Sequence, residues 1–287
     1  MKSKPRDSLS DWLALHSLDK ETVWTFLRLL NRDARPLFSD QEPYEDHQLN
    51  LDADEAWDLV ADAMCAKLPK LSSDIEHVKT ATERDFNAEP GVLPFTRKGG
   101  AEGGTFVSIC YQAAPQDLLC VAHEFGHALQ IELSERRFTP PIHREIAAFL
   151  SELFLLEHVQ KTDPELHHEL WLAWQDENGV YLGEDLEFLE DQLSQEGSPY
   201  DYRLNYSLAR LIAFHLWKSS TVSDVTEWFA RTMNLKSQTT LFKYREKDAG
   251  MQNNLPQVPQ IEEELPAINA YRSLGIMALL DIEYLEG

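Results

Sequence analysis

The sequence predicts a mainly α-helical (α+β) protein with a small β-sheet beside one central helix, and three observations lead to this fold class. Apolar residues recur every three or four positions through most of the chain, which is the spacing of one helix face. Residues 105–111 alternate instead and contain β-branched and aromatic residues, as strands do. An H-E-x-x-H motif, from His123 to His127, then lies in an apolar helical segment that follows this strand.

The composition is that of an ordinary soluble globular protein. Of the 287 residues, 43% are hydrophobic and 26% are charged, and no apolar run approaches the roughly 18 residues of a membrane span. The N-terminus has basic residues without an apolar segment behind them, so we expect no signal peptide. The cysteines are widely spaced and odd in number, which fits reduced thiols in a cytoplasmic protein. They are Cys65, Cys110 and Cys120.

The charge balance argues against a nucleic acid as a partner. The formal net charge is −23, from 49 acidic and 26 basic residues. A nucleic acid is not expected as a partner, because binding its phosphates requires clustered Lys and Arg side chains. Solubility alone explains the acidity, although a preference for basic substrates is compatible with it. The sequence does not fix the oligomeric state.

The first part of the chain, residues 1–90, is predicted to be an N-terminal helical region. Its first clear helix follows the cap residue Asp19 and has apolar residues at positions i, i+3, i+4 and i+7. A loop with two prolines separates this helix from two others. The predicted segments are the loop 34–50, a helix over Ala53–Leu68 and a helix over about Ser73–Phe86.

The second part, residues 91–287, contains the motif and is expected to form one compact unit with the N-terminal helices. Its strand is followed by the motif helix, which begins near Pro115 and ends near Glu135, before two consecutive prolines. Further helices are predicted to follow. They cover about His143–Lys161, a segment after Asp163-Pro164, a segment from the tyrosine-rich stretch to about Trp217, and two or three segments around Pro256 and Pro259.

The spacing of the motif points to a metal site. Positions i and i+4 lie one turn apart on one helix face, so His123 and His127 can present two imidazoles to one metal ion. Glu124 lies beside them, where it can accept a proton from a metal-bound water. The alternative is a surface helix with two solvated histidines. The apolar residues around the motif argue against that alternative.

A third ligand is expected on the following helix. Glu145 and Glu152 are seven residues apart on one face, in the most apolar part of the chain. Burying two carboxylates is costly without partners, and a metal with the motif histidines would provide them. The alternative is a solvated acidic stripe. His143 is a competing candidate ligand. It lies two residues before Glu145, and because a helix turns by about 100° per residue, the two side chains should face different ways. Glu152 lies about 10 Å further along the axis, so only one carboxylate can contact the metal directly.

These segments together resemble the M3 family of zinc metallopeptidases, the thimet oligopeptidase and oligoendopeptidase F group. Residues 94–106 are similar to the glycine turn and strand that precede the active-site helix in the family, and residues 116–128 to that helix. Residues 145–152 resemble the segment whose first Glu is the third zinc ligand, and residues 200–206 the tyrosine-rich segment. The chain is shorter than a typical member, so we expect most of the lobe that covers the substrate channel to be missing.

The resemblance implies a zincin-like core, one zinc ion and a role for each site residue. The ligands would be His123, His127 and Glu145, with Glu124 as general base. Glu152 would orient a ligand histidine. Three tyrosines would bind the substrate: Tyr200, Tyr202 and Tyr206. Of these, Tyr202 and Tyr206 would also donate hydrogen bonds to the oxyanion.

Three functions follow from these observations. The first is a zinc metalloendopeptidase that hydrolyses peptides or flexible segments of proteins. The second is a non-catalytic metal- or peptide-binding protein that retains the fold, which the shortened chain favours but Glu124 opposes, since binding a metal does not require a general base. The third is a helical interaction module with an accidental motif. The order of the Glu145 segment after the motif argues against the third.

Overall fold

A computed structural model describes residues 8–34, 48–99, 103–135, 137–219, 225–226 and 228–229. Most of the predicted loop 34–50 and the helices predicted around Pro256 and Pro259 lie outside these residues. The helices are α1 (Leu9–His16), α2 (Lys20–Ala34), α3 (Ala53–Lys67), α4 (Ser72–Ala81), α5 (Pro115–Leu133), α6 (Pro141–Thr162), α7 (Pro164–Gly179), α8 (Asp185–Ser194) and α9 (Tyr206–Ser219). The strands are β1 (Glu83–Asp85), β2 (Phe95–Lys98) and β3 (Thr105–Ser108).

Three shorter helical segments complete the description. Two are 3₁₀ turns, Pro69–Leu71 before α4 and Tyr202–Asn205 before α9. The third, Val180–Glu184, is a π-helical turn between α7 and α8. Turns of this kind are frequent at functional sites. No helix in the described part of the chain is both long and apolar enough to cross a membrane.

The predicted fold class is confirmed, because a small sheet lies beside a mainly helical body. The strand order is β1-β3-β2, with β1 parallel and β2 antiparallel to β3. Strands β2 and β3 both contact α5, the helix that contains the motif. Val107 of β3 is fully buried, whereas Arg97 of β2 lies over the ring of Phe106. The sheet therefore supports the motif helix on one side.

Two predicted boundaries are wrong. The helix predicted over Ser73–Phe86 ends at Ala81, and Glu83–Asp85 form β1 instead. The strand predicted over residues 105–111 ends at Ser108. The first difference has a clear cause: β1 pairs in parallel with Phe106–Ser108, more than twenty residues away, and local propensity does not reveal such a pairing.

Helices α5 and α6 form the centre of the fold and pack closely against each other. Gly126 makes this approach possible: a Cβ added there would lie 2.8 Å from the Cα of Ala148 and 2.9 Å from the carbonyl oxygen of Ala147. Phe125 and Leu150 are fully buried on the same two helices. This close approach places the motif of α5 next to α6, the helix that contains Glu145.

The N-terminal helix α1 contacts the start of α6 and the turn before α9. The indole of Trp12 donates a 2.8 Å hydrogen bond to Oδ1 of Asn205, at the end of the 3₁₀ turn before α9. His16 accepts the backbone N–H of Ile142 at Nε2 and donates from Nδ1 to the carbonyl of Trp12. Because Pro141 has no N–H, Ile142 provides the first free donor of α6, and His16 satisfies it.

Candidate metal centre

Helix α5 fixes the two histidines of the motif. Pro115 occupies the first turn, and the carboxylate of Asp117 accepts the backbone N–H groups of Gln112 and Ala114, which anchors the start of the helix. The apolar residues of α5 face the core and turn the motif toward α6. The imidazole rings of His123 and His127 lie 4.9 Å apart at an interplanar angle of 85°.

Glu145 of α6 completes a three-residue cluster with these histidines. Its Oε2 atom lies 3.3 Å from Nε2 of His123 and 3.8 Å from Nε2 of His127. All three potential ligand atoms lie within 4.8 Å of one another. Two nitrogens and an oxygen around a tetrahedral zinc ion would be about 3.4 Å apart at the usual bond lengths. Within the described residues this is the one cluster of this kind, and it could bind a metal ion.

The hydrogen bonds around the cluster support the fit to a cation. Nδ1 of His123 lies 2.8 Å from Oε1 of Glu152 and donates to it when that carboxylate is ionised. Nε2 of neutral His123 is then an acceptor, and it faces Oε2 of Glu145, which is buried and accepts no hydrogen bond in the described part of the chain. Two acceptors this close repel each other unless a proton or a metal ion lies between them.

The electrostatics of the metal-free site agree with this picture. Burial disfavours the imidazolium of His123, but Glu145 and Glu152 outweigh burial and raise its pKa well above the ordinary value. Burial lowers the pKa of His127 to about 3, so that imidazole is neutral. Burial opposes ionisation of Glu145, yet His127, His123 and Tyr202 together lower its pKa to about 2. A bound cation would replace the proton that His123 holds between the carboxylates.

Glu124, which directly follows His123 on α5, contacts strand β2. Its Oε2 atom lies 2.6 Å from the hydroxyl of Thr96, and that hydroxyl also lies 3.1 Å from the backbone carbonyl of Glu124. Burial raises the pKa of Glu124 to about 7, although His123 and Thr96 partly offset this. Thr96 can donate to the ionised carboxylate, or accept from the protonated one while it donates to the carbonyl. The pair is therefore suited to a group that gains and loses a proton.

The predicted tyrosines lie in three different environments. The hydroxyl of Tyr202 donates a 2.6 Å hydrogen bond to Oε1 of Glu145. Tyr200 accepts a hydrogen bond from Nδ2 of Asn205, 3.0 Å away, and packs against the core. The ring of Tyr206 lies 5.6 Å from that of Tyr202, and burial, together with the charges of Glu145 and Glu124, raises the pKa of its phenol. The structure brings Tyr202 and Tyr206 to the site and gives Tyr200 a packing contact.

Of the two remaining predicted residues, Glu152 contacts the metal-binding cluster and His143 lies outside it. Glu152 contacts His123, as described above, while its other oxygen contacts Arg210. His143 packs its ring 5.5 Å from that of Trp228 and is not part of the metal-binding cluster. Thr96 and Arg210 were not predicted. Thr96 gave no signal, but a charged residue inside the apolar run Leu208 to Phe214 indicates a buried ion pair.

Comparison with known proteins yields one remote likeness. No protein-family model matches the chain, and no curated protein matches it. A solved structure from Chlamydophila abortus, described as a "putative peptidase", shares 14% identity with a TM-score of 0.39, over 78% of this chain and 44% of that chain. The chain thus spans less than half of that structure. The resemblance to the M3 family stays a prediction.

Proposed function

We propose that the protein is a zinc-dependent metallopeptidase that hydrolyses peptides or flexible protein segments. The observation that carries this proposal is the position of Glu124, a buried carboxyl group that directly follows His123 of the metal-binding cluster on α5. A site that only stores a metal needs ligands, but it does not need an additional carboxyl group with a pKa of about 7. Hydrolysis of an amide bond needs both.

The donor set favours zinc among the common metal ions. Zinc binds imidazole nitrogen and carboxylate oxygen, and its catalytic sites have three protein ligands with one open position. His123, His127 and Glu145 provide that number of ligands. Bound by these residues, a zinc ion would polarise the peptide carbonyl and lower the pKa of a water molecule. The hard ions calcium and magnesium prefer sites made of oxygen atoms alone.

Glu124 transfers the proton in this proposal. Thr96 holds Oε2 of Glu124, so Oε1 remains to accept a proton from the attacking water and to pass it to the leaving amine. A group with a pKa near the working pH performs both transfers efficiently. The second contact of Thr96, to the backbone carbonyl of Glu124, keeps the hydroxyl bonded in either protonation state.

The two tyrosines near Glu145 have separate proposed roles. Tyr202 orients Glu145 through its hydrogen bond to Oε1, which leaves Oε2 directed at the two histidines. Tyr206 stacks edge-on against Tyr202, with ring centroids 5.6 Å apart. Its phenol would donate a hydrogen bond to the oxyanion of the tetrahedral intermediate. Tyr200 remains a proposed substrate contact at the rim of the site.

Strand β2 supports an extended peptide as the substrate. Among the described residues β2 is an outer strand of the sheet, and an extended peptide can add to a sheet at an outer strand. Thr96, in the middle of β2, contacts Glu124 directly. A peptide added to this edge would therefore pass beside the general base. Flexible chains can adopt that extended form, whereas segments inside a stably folded domain cannot.

The second candidate function is a non-catalytic protein that binds a metal ion or a peptide. The same cluster and the same strand edge would serve it. The buried carboxyl group of Glu124 is the feature that this alternative leaves without a purpose, because Glu124 is not one of the three clustered ligands. The two functions differ in one measurable property, which is turnover of a peptide.

The test combines metal analysis with peptide cleavage. Purified full-length protein is analysed for zinc by mass spectrometry, then incubated with a library of quenched fluorescent peptides, with and without a chelator. We expect about one zinc ion per chain, cleavage that stops with chelator and returns with zinc, and no cleavage of native globular standards. Bound zinc without cleavage would establish the non-catalytic alternative. A chain that binds no zinc would disprove both the metal site and the peptidase.

A further inference from the structure

A buried arginine lies behind the metal-binding cluster. Arg210 of α9 is only 1% exposed, and its guanidinium group contacts three partners through directed hydrogen bonds. Nη1 contacts Oε2 of Glu152, Nε donates to Oδ1 of Asn178 at 2.9 Å, and Nη2 donates to the carbonyl of Trp174 at 3.3 Å. A second carboxylate, Glu177, lies 3.5 Å from Nη2. The orientation of this arginine is thus fixed from two other helices.

Aromatic rings surround the rest of the guanidinium group. The centroids of Trp174, Phe149 and Tyr181 lie 4.5, 4.7 and 5.0 Å from Cζ of Arg210. Tyr181 belongs to the π-helical turn between α7 and α8. These rings favour a cation through their π faces and exclude water from it. A planar, always charged guanidinium group suits this position better than a lysine ammonium group, because it makes several hydrogen bonds in one plane.

Glu152 connects this arginine to the metal-binding cluster. Its two carboxylate oxygens have different partners: Oε1 accepts from Nδ1 of His123 at 2.8 Å, and Oε2 contacts Arg210. Glu152 is 2% exposed, so water cannot take the place of either partner. A hydrogen bond to Nδ1 determines which nitrogen of a ligand histidine is left for a metal ion.

We propose that Arg210 is a positioning residue of the metal centre, which holds Glu152 so that His123 directs Nε2 toward the cluster. This inference rests on the proposed function, because it concerns the ligand that would bind zinc. Arg210 fixes Glu152 on one side, and Glu152 then fixes the tautomer and the ring orientation of His123. Without Arg210, Glu152 would be a buried carboxylate free to rotate away from Nδ1.

The experiment uses variants that separate positioning from simple stabilisation. Arg210→Lys keeps the charge but loses the planar set of hydrogen bonds. Arg210→Met removes the charge and leaves Glu152 buried without its cation, so it risks misfolding. The double variant Glu152→Gln/Arg210→Met removes both charges and serves if that happens, with Glu152→Gln as its reference: if Arg210 acts through Glu152, the change at Arg210 should then add little. Glu177→Gln is the matched control, since Glu177 contacts the same arginine, whereas it interacts with His123 only electrostatically and not through a hydrogen bond.

Two measurements are made on each folded variant. Zinc affinity is determined by competition with a chromophoric chelator, and the Nδ1–H group of His123, hydrogen bonded to Glu152, is followed by ¹H–¹⁵N NMR of the metal-free protein. We expect Arg210→Lys and the double variant to lose about 10–100-fold in zinc affinity, the range for partners of a ligand histidine. We also expect the Nδ1–H signal of their His123 to weaken through exchange with water, because Glu152 no longer holds that proton in place. Glu177→Gln should change neither property by more than about twofold.

The outcomes distinguish this inference from the proposed function. If the Arg210 variants fold and keep both the zinc affinity and the Nδ1–H signal of the unmodified protein, Arg210 is only a structural residue and the inference is wrong. If the unmodified protein binds no zinc, the proposed function fails, while the NMR measurement still decides whether Arg210 positions His123. Lower thermal stability with an unchanged Nδ1–H signal would also contradict the inference.

Discussion

Tyr202 donates a 2.6 Å hydrogen bond to Oε1 of Glu145, the carboxylate that faces the two histidines of the motif. The phenol lies on the 3₁₀ turn before α9, and the carboxylate lies on α6. This contact couples a segment near residue 200 to the candidate metal site. The sequence suggests that Tyr202 donates a hydrogen bond to the oxyanion. In the structure its hydroxyl donates instead to Glu145, a candidate metal ligand, so we propose that it orients that carboxylate.

Tyr202→Phe tests that role. We expect zinc affinity to fall about tenfold, because Glu145 would lose the partner that fixes its orientation. Tyr206→Phe is the matched control: its zinc affinity should stay the same, while kcat falls roughly a hundredfold or more, as for the loss of an oxyanion donor. Chelator competition and steady-state kinetics measure the two effects. If Tyr202→Phe lowered kcat alone, its phenol would act on the substrate instead.

Glu124→Gln tests the general base. The amide retains the shape of the carboxyl group and its contact with Thr96, so zinc should remain near one per chain. Peptide hydrolysis should fall by roughly a hundredfold or more, which is the scale of a lost general base. Glu132→Gln is a matched control, because Glu132 lies on the same helix and accepts a 2.6 Å hydrogen bond from Thr105 of β3. Unchanged turnover in Glu124→Gln would exclude the proposed mechanism.

The third ligand is tested by comparing two residues of the same helix. Glu145→Ala should lower zinc affinity severely, since it removes the oxygen 3.3 Å from His123. His143→Ala should barely change it, because His143 packs against Trp228 outside the cluster. Circular dichroism confirms folding before the affinities are compared. A variant of His143 that lost its zinc, with Glu145→Ala still binding, would overturn both the ligand set and the resemblance to the M3 family.

The parts of the site predicted from sequence are those with a local spacing. His123 and His127 share a helix face by their separation alone, and the apolar context of Glu145 indicates a buried carboxylate. Contacts between distant segments gave no such signal. Thr96 reaches Glu124 because β2 pairs with β3 beside α5, and β1 forms through a parallel pairing that replaces the predicted end of α4. Pairings of this kind depend on the whole fold.

Gly126→Ala tests the close packing of α5 and α6. Alanine favours a helix by about 1 kcal/mol over glycine, but its Cβ would lie 2.8 Å from the Cα of Ala148. Backbone atoms must then move, which costs about 1–3 kcal/mol. We expect a net loss in the free energy of unfolding and weaker zinc binding, since α6 moves Glu145 away from the histidines. Gly104→Ala is the control, as its nearest contact is an ordinary 3.7 Å. Equal effects in both variants would contradict this explanation.

His16 makes the stability of the protein depend on pH. Burial lowers the pKa of His16 to about 3, with smaller effects in the same direction from His143 and Arg144, although its bond to the Trp12 carbonyl opposes them. Between pH 6.5 and about 3 the unfolded chain binds a proton at this residue and the folded chain does not. The contribution of neutral His16 is therefore complete above pH 6.5 and is lost as the pH falls toward 3.

The measurement is urea unfolding with a chelator present, at pH 7.5 and pH 4.5, for the unmodified protein and His16→Gln. At pH 7.5 the variant should be less stable by about 1–3 kcal/mol, because Ile142 loses the acceptor at the start of α6. At pH 4.5 that difference should shrink by about 2–3 kcal/mol, since one pKa unit corresponds to about 1.4 kcal/mol. His77→Gln, a change to an exposed histidine on α4, should show no such change. A difference between His16→Gln and the unmodified protein that stayed constant with pH would show that His16 is not held neutral at the start of α6.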